Sequence, residues 1–410
     1  MQPPPSAADL PAIPADQLPE RVRAGIAARA GHPHRPVSGY FYDLAIAAER
    51  AAGLRAALPA WAEAFYAVKA NSFAAVLAAL APHVDGFEVA SAREAELASG
   101  IVGGSGRMVG AGPGKSLALL VRLVELGVEV VNVESPLELH RLNRAAELAG
   151  RPVNVAIRVN PRRIDVSGSL VMGGAATQFG LPEADVPAAV ALAGSLAWLD
   201  LVGFHVHAVC NNLDAGTHAR YLRWCLSWSV AAARDHGVDL RLVDVGGGLG
   251  VPFEGEEPFD VARFGDLLSG VRPPDGVRVL FEPGRYLVTE CGYYAAEVTD
   301  LKHAYGTTFA ILRGGINHFQ LPTSWDILHR FAVLPVDAWP YPFARPEARD
   351  TTITVVGELC TPEDTLARDM KVARIRPGDV VVFPMAGSYG YEFAMPEFLG
   401  HPAATRQILS

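Results

Sequence analysis

Lys69 closes an apolar, strand-like run, Ala64-Phe65-Tyr66-Ala67-Val68, and is followed by Ala70-Asn71. An amine at the end of such a run is partly withdrawn from water, which lowers its pKa toward the range where the neutral form attacks a carbonyl. The plain alternative is a lysine that snorkels from a strand end. Groups suited to the same chemistry recur downstream: His205 and His207, the glycines Gly246, Gly247 and Gly248, and Glu282 in Glu282-Pro283-Gly284-Arg285. Consecutive glycine N–H groups, clear of side chains, can form a nest for a phosphate. A carboxylate can hold a proton on a ring nitrogen, and an imidazole can lie against a ring face. Singly, each has a bland reading: a loop, a salt-bridged acid, a hydrogen-bonded core histidine.

An amine, an anion site, a partner for a ring nitrogen and a flat surface are the four demands that pyridoxal 5′-phosphate (PLP) makes of a protein. What could bring these groups together is the pattern of the intervening chain. Apolar runs at 63–68, 84–89, 107–110, 128–133, 153–159, 201–206, 240–245 and 277–281 alternate with helix-like stretches such as 117–126, 136–148 and 218–234. That rhythm predicts a (β/α)8 TIM-like barrel, with a doubly wound open sheet as the competitor. In a barrel the chemistry gathers at the C-terminal strand ends. Lys69, Glu88, Arg158, His205, His207, Gly246 to Gly248 and Glu282 all fall at such ends.

Beyond residue 290 the helical rhythm fades into strand-like runs at 293–298, 308–312, 352–356, 371–375 and 380–383, which predict a C-terminal, mostly β domain. The expected division is an N-terminal arm over 1–39, packing partly with the β domain and containing an amphipathic helix within 17–30. A PLP-binding barrel over 40–289 and a β-rich domain over 290–410 follow.

The net charge of −9, with no basic block, argues against nucleic acid as a partner. Cys210, Cys225, Cys291 and Cys360 are scattered, without the spacing of a metal site, and suit a reducing compartment. The start of the chain lacks the features of a signal peptide, and no apolar run reaches the roughly 18 residues that a membrane span needs. The expectation is a cytoplasmic protein with no metal and no membrane association.

Six segments together resemble the fold-type III PLP-dependent decarboxylases, the family of ornithine/arginine and diaminopimelate decarboxylases. They are Tyr66-Ala67-Val68-Lys69-Ala70-Asn71, Gly203-Phe204-His205-Val206-His207, Asp244-Val245-Gly246-Gly247-Gly248, Glu282-Pro283-Gly284-Arg285, Gly357-Glu358-Leu359-Cys360 with Asp364, and Ala386-Gly387-Ser388-Tyr389-Gly390. The resemblance implies the alanine racemase-like arrangement of barrel plus β domain, with Lys69 bonded to the cofactor, His205 against its ring and Glu282 at the ring nitrogen. It places the phosphate on Gly246 to Gly248, Gly284, Arg285 and Tyr389. It also implies a homodimer with shared active sites, in which Cys360 enters from the other subunit as proton donor, with Asp364 nearby.

Two departures bear on the substrate. The familiar branches carry an acid directly after the cysteine, where this chain has Thr361-Pro362, and His207-Ala208-Val209-Cys210-Asn211-Asn212 replaces a Gly-Ser pattern. Together with Gly315 to Pro322 and the segments around Gly390 and Phe398, they look like a narrower branch. Its members decarboxylate citrate-conjugated amino acids in siderophore biosynthesis. Candidate substrate residues are Arg158, His207, Asn211, Thr361 and Asp364; Asn211 could equally hold a loop. The alternatives are a decarboxylase of free diaminopimelate, ornithine or lysine, a PLP racemase, or a non-enzymatic homologue.

Overall fold

The structure is a computed structural model that describes residues 11–32, 34–103, 107–162, 170–171, 174, 176–325 and 327–409. It divides into two compact units. One comprises Met1–Ala47, Phe253–Glu256 and Val288–Ser410, the other Ala48–Pro252 and Glu257–Leu287.

The second unit is a closed parallel barrel. Its strands are β1 (Ala62–Ala67), β2 (Gly86–Val89), β3 (Met108–Gly110), β4 (Val130–Val133), β5 (Val153–Asn160), β6 (Leu199–His205), β7 (Leu242–Asp244) and β8 (Arg278–Phe281). They run in the order β4-β3-β2-β1-β8-β7-β6-β5, and pairing of β5 with β4 closes the ring. Closure rules out the open doubly wound sheet, because such a sheet would leave its outer strands unpaired. Phe65, Val109, Val130, Ala156, Val202, Leu242 and Leu280, one from each of seven strands, form a buried cluster. This is the packed interior expected of a barrel of this size.

Local sequence explains the turns from strand to helix. Ser91, Ser116, Ser135, Asp214 and Asp260 each accept the N–H three residues on, at 2.6–3.2 Å, and so cap the helix that follows. Gly150 and Gly237 close the helices Pro136–Ala149 and Ala215–His236 in the left-handed region. At the other end of the barrel, Glu63 and Glu129 alternate with Arg107 and Arg278. Arg107 reaches Glu63 at 2.8 Å and Glu129 at 2.9 Å; Arg278 reaches Glu63 at 2.7 Å and also pairs with Glu129. That ring ties the starts of β1, β3, β4 and β8 at the end away from the predicted chemistry.

The first unit is mostly β. The strand Ser38–Tyr42 pairs antiparallel with Gly292–Ala304 and parallel with Thr405–Ile408. Val380–Phe383, Ala332–Leu334, Thr307–Leu312, Ala348–Val356 and Thr365–Ile375 complete the sheet. The helix Glu20–Ala27 lies within the segment read as amphipathic, and its Val22 and Ile26 join Phe41, Tyr293, Ala295 and Val382 in one core cluster. The boundary expected at residue 40 falls inside Ser38–Tyr42, because that strand's backbone partners belong to the β sheet; residues 40–47 group with it. Residues 1–10 and 33 of the expected arm lie outside the described residues. Among the described residues, no helix is long and apolar enough to cross a membrane.

Candidate active site

Lys69 stands just past β1 in a single helical turn, Val68–Ala70. Its Nζ lies 2.6 Å from Oε2 of Glu88, which is fully buried at the end of β2. The amine is thus aimed along the rim by a carboxylate from the neighbouring strand. Three strands further round, Arg158 on β5 donates from NH1 to Glu134 Oε1 at 2.8 Å, and its guanidinium lies 4.9 Å from the Phe179 ring centroid. His205 ends β6, Glu282 follows β8, and His205 Nε2 stands 3.7 Å from Glu282 Oε2. His207 Nδ1 is 3.8 Å from the same oxygen.

Burial sets the charge of these groups. Desolvation pushes both imidazoles well below their usual pKa, assisted by the positive charge of Arg158, so each is neutral in the folded protein. The Glu282 carboxyl is pushed well up, first by burial and then by the neighbouring carboxylates Asp244 and Glu88, with Lys69 opposing. Among the described residues, Glu282 Oε1 and both ring nitrogens of His205 are buried without a hydrogen-bond partner. Such orphaned groups are costly unless something else meets them.

The glycine loop follows β7. Gly246 and Gly248 have φ of +66° and +108°, open to glycine and strained for other residues. A Cβ on Gly247 would collide with the Glu282 carbonyl oxygen, and one on Gly248 with that of Val209. The loop is therefore glycine because backbone passes close on two sides.

A family model, described as the pyridoxal binding domain of pyridoxal-dependent decarboxylases, matches residues 45–289. The chain belongs to the pyridoxal-dependent decarboxylases. This decarboxylase is 36% identical over 373 residues to the 2-[(L-alanin-3-ylcarbamoyl)methyl]-2-hydroxybutanedioate decarboxylase of Staphylococcus aureus, covering 90% of this chain and 92% of that one. It is 31% identical over 334 residues to the diaminopimelate decarboxylase of Pseudomonas aeruginosa, covering 80% and 76%. Among solved structures it resembles diaminopimelate decarboxylase from Helicobacter pylori complexed with L-lysine, with a TM-score of 0.77, 26% identity and coverage of 91% and 92%. It is a PLP-dependent amino acid decarboxylase with a barrel and a β-rich domain.

The barrel residues of the decarboxylase fit that cofactor. The orphaned oxygen of Glu282 suits a ring N–H, the unpartnered His205 ring suits a flat face, and Arg285, 9% exposed, brings positive charge close enough to depress His207. One part of the expected phosphate cradle differs. Gly246 N–H donates to Asp244 Oδ1 at 2.9 Å and Gly247 N–H to His207 Nδ1 at 3.0 Å, so two of the three glycine donors have partners within the protein. Gly284 accepts a turn bond from Leu287 N–H at 3.0 Å and opens the short helix that carries Arg285.

Several candidate substrate residues are engaged elsewhere. Asn211 accepts Val251 N–H at 2.9 Å and donates to Val251 O at 3.4 Å, with φ of +48°; its amide clamps the loop after β6 to the glycine loop. His207 receives Gly247 N–H and has the Cys210 thiol 3.4 Å from Nε2. In the β unit, buried Asp364 accepts Ile316 N–H at 2.7 Å and Leu359 N–H at 2.8 Å, so one oxygen closes the turn that carries Cys360 and the other ties that turn to the Ile316 segment. Cys360 itself is exposed, and the Thr361 hydroxyl donates to Glu363. Tyr389, at φ of +56°, packs against Trp325 and Phe393 with centroids 5.1 and 5.7 Å away.

Glu134, Asn132 and Lys115 were not among the candidate residues, and Glu88 was placed at the rim without a role. Glu88 and Asn132 do carry a signal, a polar residue inside an otherwise apolar strand. Glu134 and Lys115 lie in turns, where a charged residue carries no such signal.

Proposed function

We propose that this decarboxylase removes carbon dioxide from an amino acid whose side chain is joined to a citrate-like polycarboxylate and whose α-amine is free, in siderophore biosynthesis. The similarity to the Staphylococcus aureus enzyme carries this reading, since that enzyme's name describes an alanin-3-yl carbamoyl group on a hydroxybutanedioate. Thr361-Pro362 adds support: the position directly after Cys360 holds no acid to meet the distal ammonium of a free diamino acid. A free diamino acid is the second reading, favoured by the diaminopimelate decarboxylases among the relatives.

When bound, PLP supplies an electron sink for the pair left on the α-carbon as the carboxylate departs. Lys69 provides the amine that holds the cofactor, and Glu88 fixes the direction of that amine at 2.6 Å. Glu282, buried beside Asp244 and Glu88, holds the proton at the ring nitrogen, where positive charge favours the developing carbanion. His205, its ring nitrogens without hydrogen-bond partners, would lie against the ring. Arg285, Gly246 to Gly248 and Tyr389 would serve the phosphate. In a head-to-tail homodimer, Cys360 of one subunit returns a proton to the α-carbon at the barrel of the other. The protein works in the cytoplasm.

The test is carbon dioxide release by the PLP-loaded enzyme from citryl-diaminopropionate, beside free diaminopimelate, ornithine and lysine. Release from the conjugate alone is expected. Release from a free diamino acid, with none from the conjugate, would return the chain to basic amino acid metabolism.

A further inference from the structure

Lys115, in the turn after β3, is 2% exposed, a rare place for an ammonium group. Its Nζ donates to Gly112 O at 2.5 Å and to Asn132 O at 2.8 Å, and pairs with Glu138 Oε1 at 2.6 Å. All three ammonium protons therefore have acceptors. The acceptors belong to three different pieces of chain: the lysine's own turn, the end of β4, and the first turn of the helix Pro136–Ala149.

Two of these partners lead on to the rim. The Asn132 side chain donates to Asp244 Oδ2 at 2.9 Å, and Asp244 Oδ1 accepts Gly246 N–H at 2.9 Å. Glu138 Oε1 also accepts Glu134 N–H at 3.3 Å, and the Glu134 carboxylate takes Arg158 on one oxygen and Gly180 N–H on the other, each at 2.8 Å. One arm thus ends at the glycine loop beside Glu282, the other at Arg158 beside His205. Fold stability alone is a poor reason for such a pair, since well-packed apolar side chains often replace a buried ion pair without loss.

We propose that Lys115 is a positioning residue for the decarboxylation site, holding the turn after β3, the end of β4 and the Glu138 helix at one spacing, so that Arg158 and the glycine loop stay in register. This rests on the reading that Arg158 and the glycine loop belong to the cofactor site. A shift of the order of 1 Å at a reacting centre is enough to cost about a hundredfold in rate.

The experiment compares Lys115→Arg, Lys115→Met and the double variant Lys115→Met with Glu138→Gln, each checked for folding by far-ultraviolet circular dichroism. Cofactor-free protein is titrated with PLP, and the visible circular dichroism band of the bound cofactor, which reports its orientation, is recorded. The double variant has no unpaired buried charge, so a lysine that only neutralises Glu138 predicts wild-type behaviour. Positioning predicts a folded double variant with PLP binding weakened by about tenfold or more and an altered band. Lys115→Arg keeps the charge but not the three point contacts, so it should show a smaller loss of the same kind. Wild-type affinity and band in either the double variant or Lys115→Arg overturn the proposal. Arg158→Met serves as a separate arm: unchanged cofactor binding and turnover there would show that the site reading, rather than Lys115, is at fault.

Discussion

Replacing Gly247 with alanine tests whether the glycine loop and Glu282 are one mechanical unit. The added methyl would sit well inside contact distance of the Glu282 carbonyl oxygen, with Glu282 C at 3.3 Å and His207 Cε1 at 3.5 Å behind it. Both sides are held backbone: Glu282 N–H donates to Gly246 O at 2.8 Å, and Gly247 N–H to His207 Nδ1 at 3.0 Å. Relief requires the two segments to part by about 1 Å, and overpacking of this kind costs about 2 kcal/mol. For a unit of this size that corresponds to a melting temperature lowered by about 4–8 °C. Because the loop and the Glu282 carboxylate move together, a displacement of that order should also lower kcat/KM by about a hundredfold. Thermal melts of cofactor-free protein, a PLP titration and a carbon dioxide release assay read the three effects separately. Gly270→Ala is the control, since a Cβ there meets nothing within 4 Å. A Gly247→Ala protein that melts with the wild type, binds PLP normally and turns over within about threefold would refute the close-approach argument.

Three further outcomes are expected. Lys69→Ala should abolish both turnover and the visible absorbance of lysine-bound PLP, and turnover retained at the wild-type rate would exclude Lys69 as the cofactor amine. In the cofactor-free protein the raised Glu282 pKa favours folding below 4.5, the ordinary glutamate value, and that contribution is lost as pH rises through the folded value. The depressed His205 and His207 act oppositely, withdrawing stability as pH falls below 6.5. Glu282→Gln should therefore flatten the alkaline-going decline in melting temperature, and an unchanged slope between wild type and variant would count against the buried-acid assignment. Gly53, inside the helix Leu44–Ala57 with open space where a Cβ would go, should gain about 0.5–1 kcal/mol on replacement by alanine; a lower denaturation midpoint would contradict it.

Apolar runs carried the barrel. Each of the eight overlaps a strand, from 63–68 over β1 to 277–281 over β8, because parallel barrel strands are buried on both faces and read as continuous apolar stretches. The β unit was legible where strands are apolar and β-branched, as in Val380–Phe383. The pair Ser38–Tyr42 and Thr405–Ile408 was not, since nothing local links segments more than 360 residues apart, and Ser-Gly-Tyr and Thr-Arg-Gln have no apolar run. At the site, which residue types meet at the rim was readable from strand ends alone. Which of them are already engaged was not: the Asn211 clamp on Val251, the Asp364 bond to Ile316, and the link from Asn132 to Asp244 all join distant strands or loops. Side-chain bonds of that kind leave no periodicity for a sequence pattern to register.

The strand Ser38–Tyr42 has a consequence for synthesis. It leaves the ribosome ahead of the barrel, yet its two neighbours, Gly292–Ala304 and Thr405–Ile408, are translated after it, the second at the end of this chain. All residues of the barrel unit emerge in between. A nascent chain that reaches residue 287 thus holds every barrel strand alongside a strand with both edges bare, the condition under which edges pair with the wrong partner. Truncation or stalling between residues 287 and 405 therefore exposes a sticky edge rather than a smaller working enzyme.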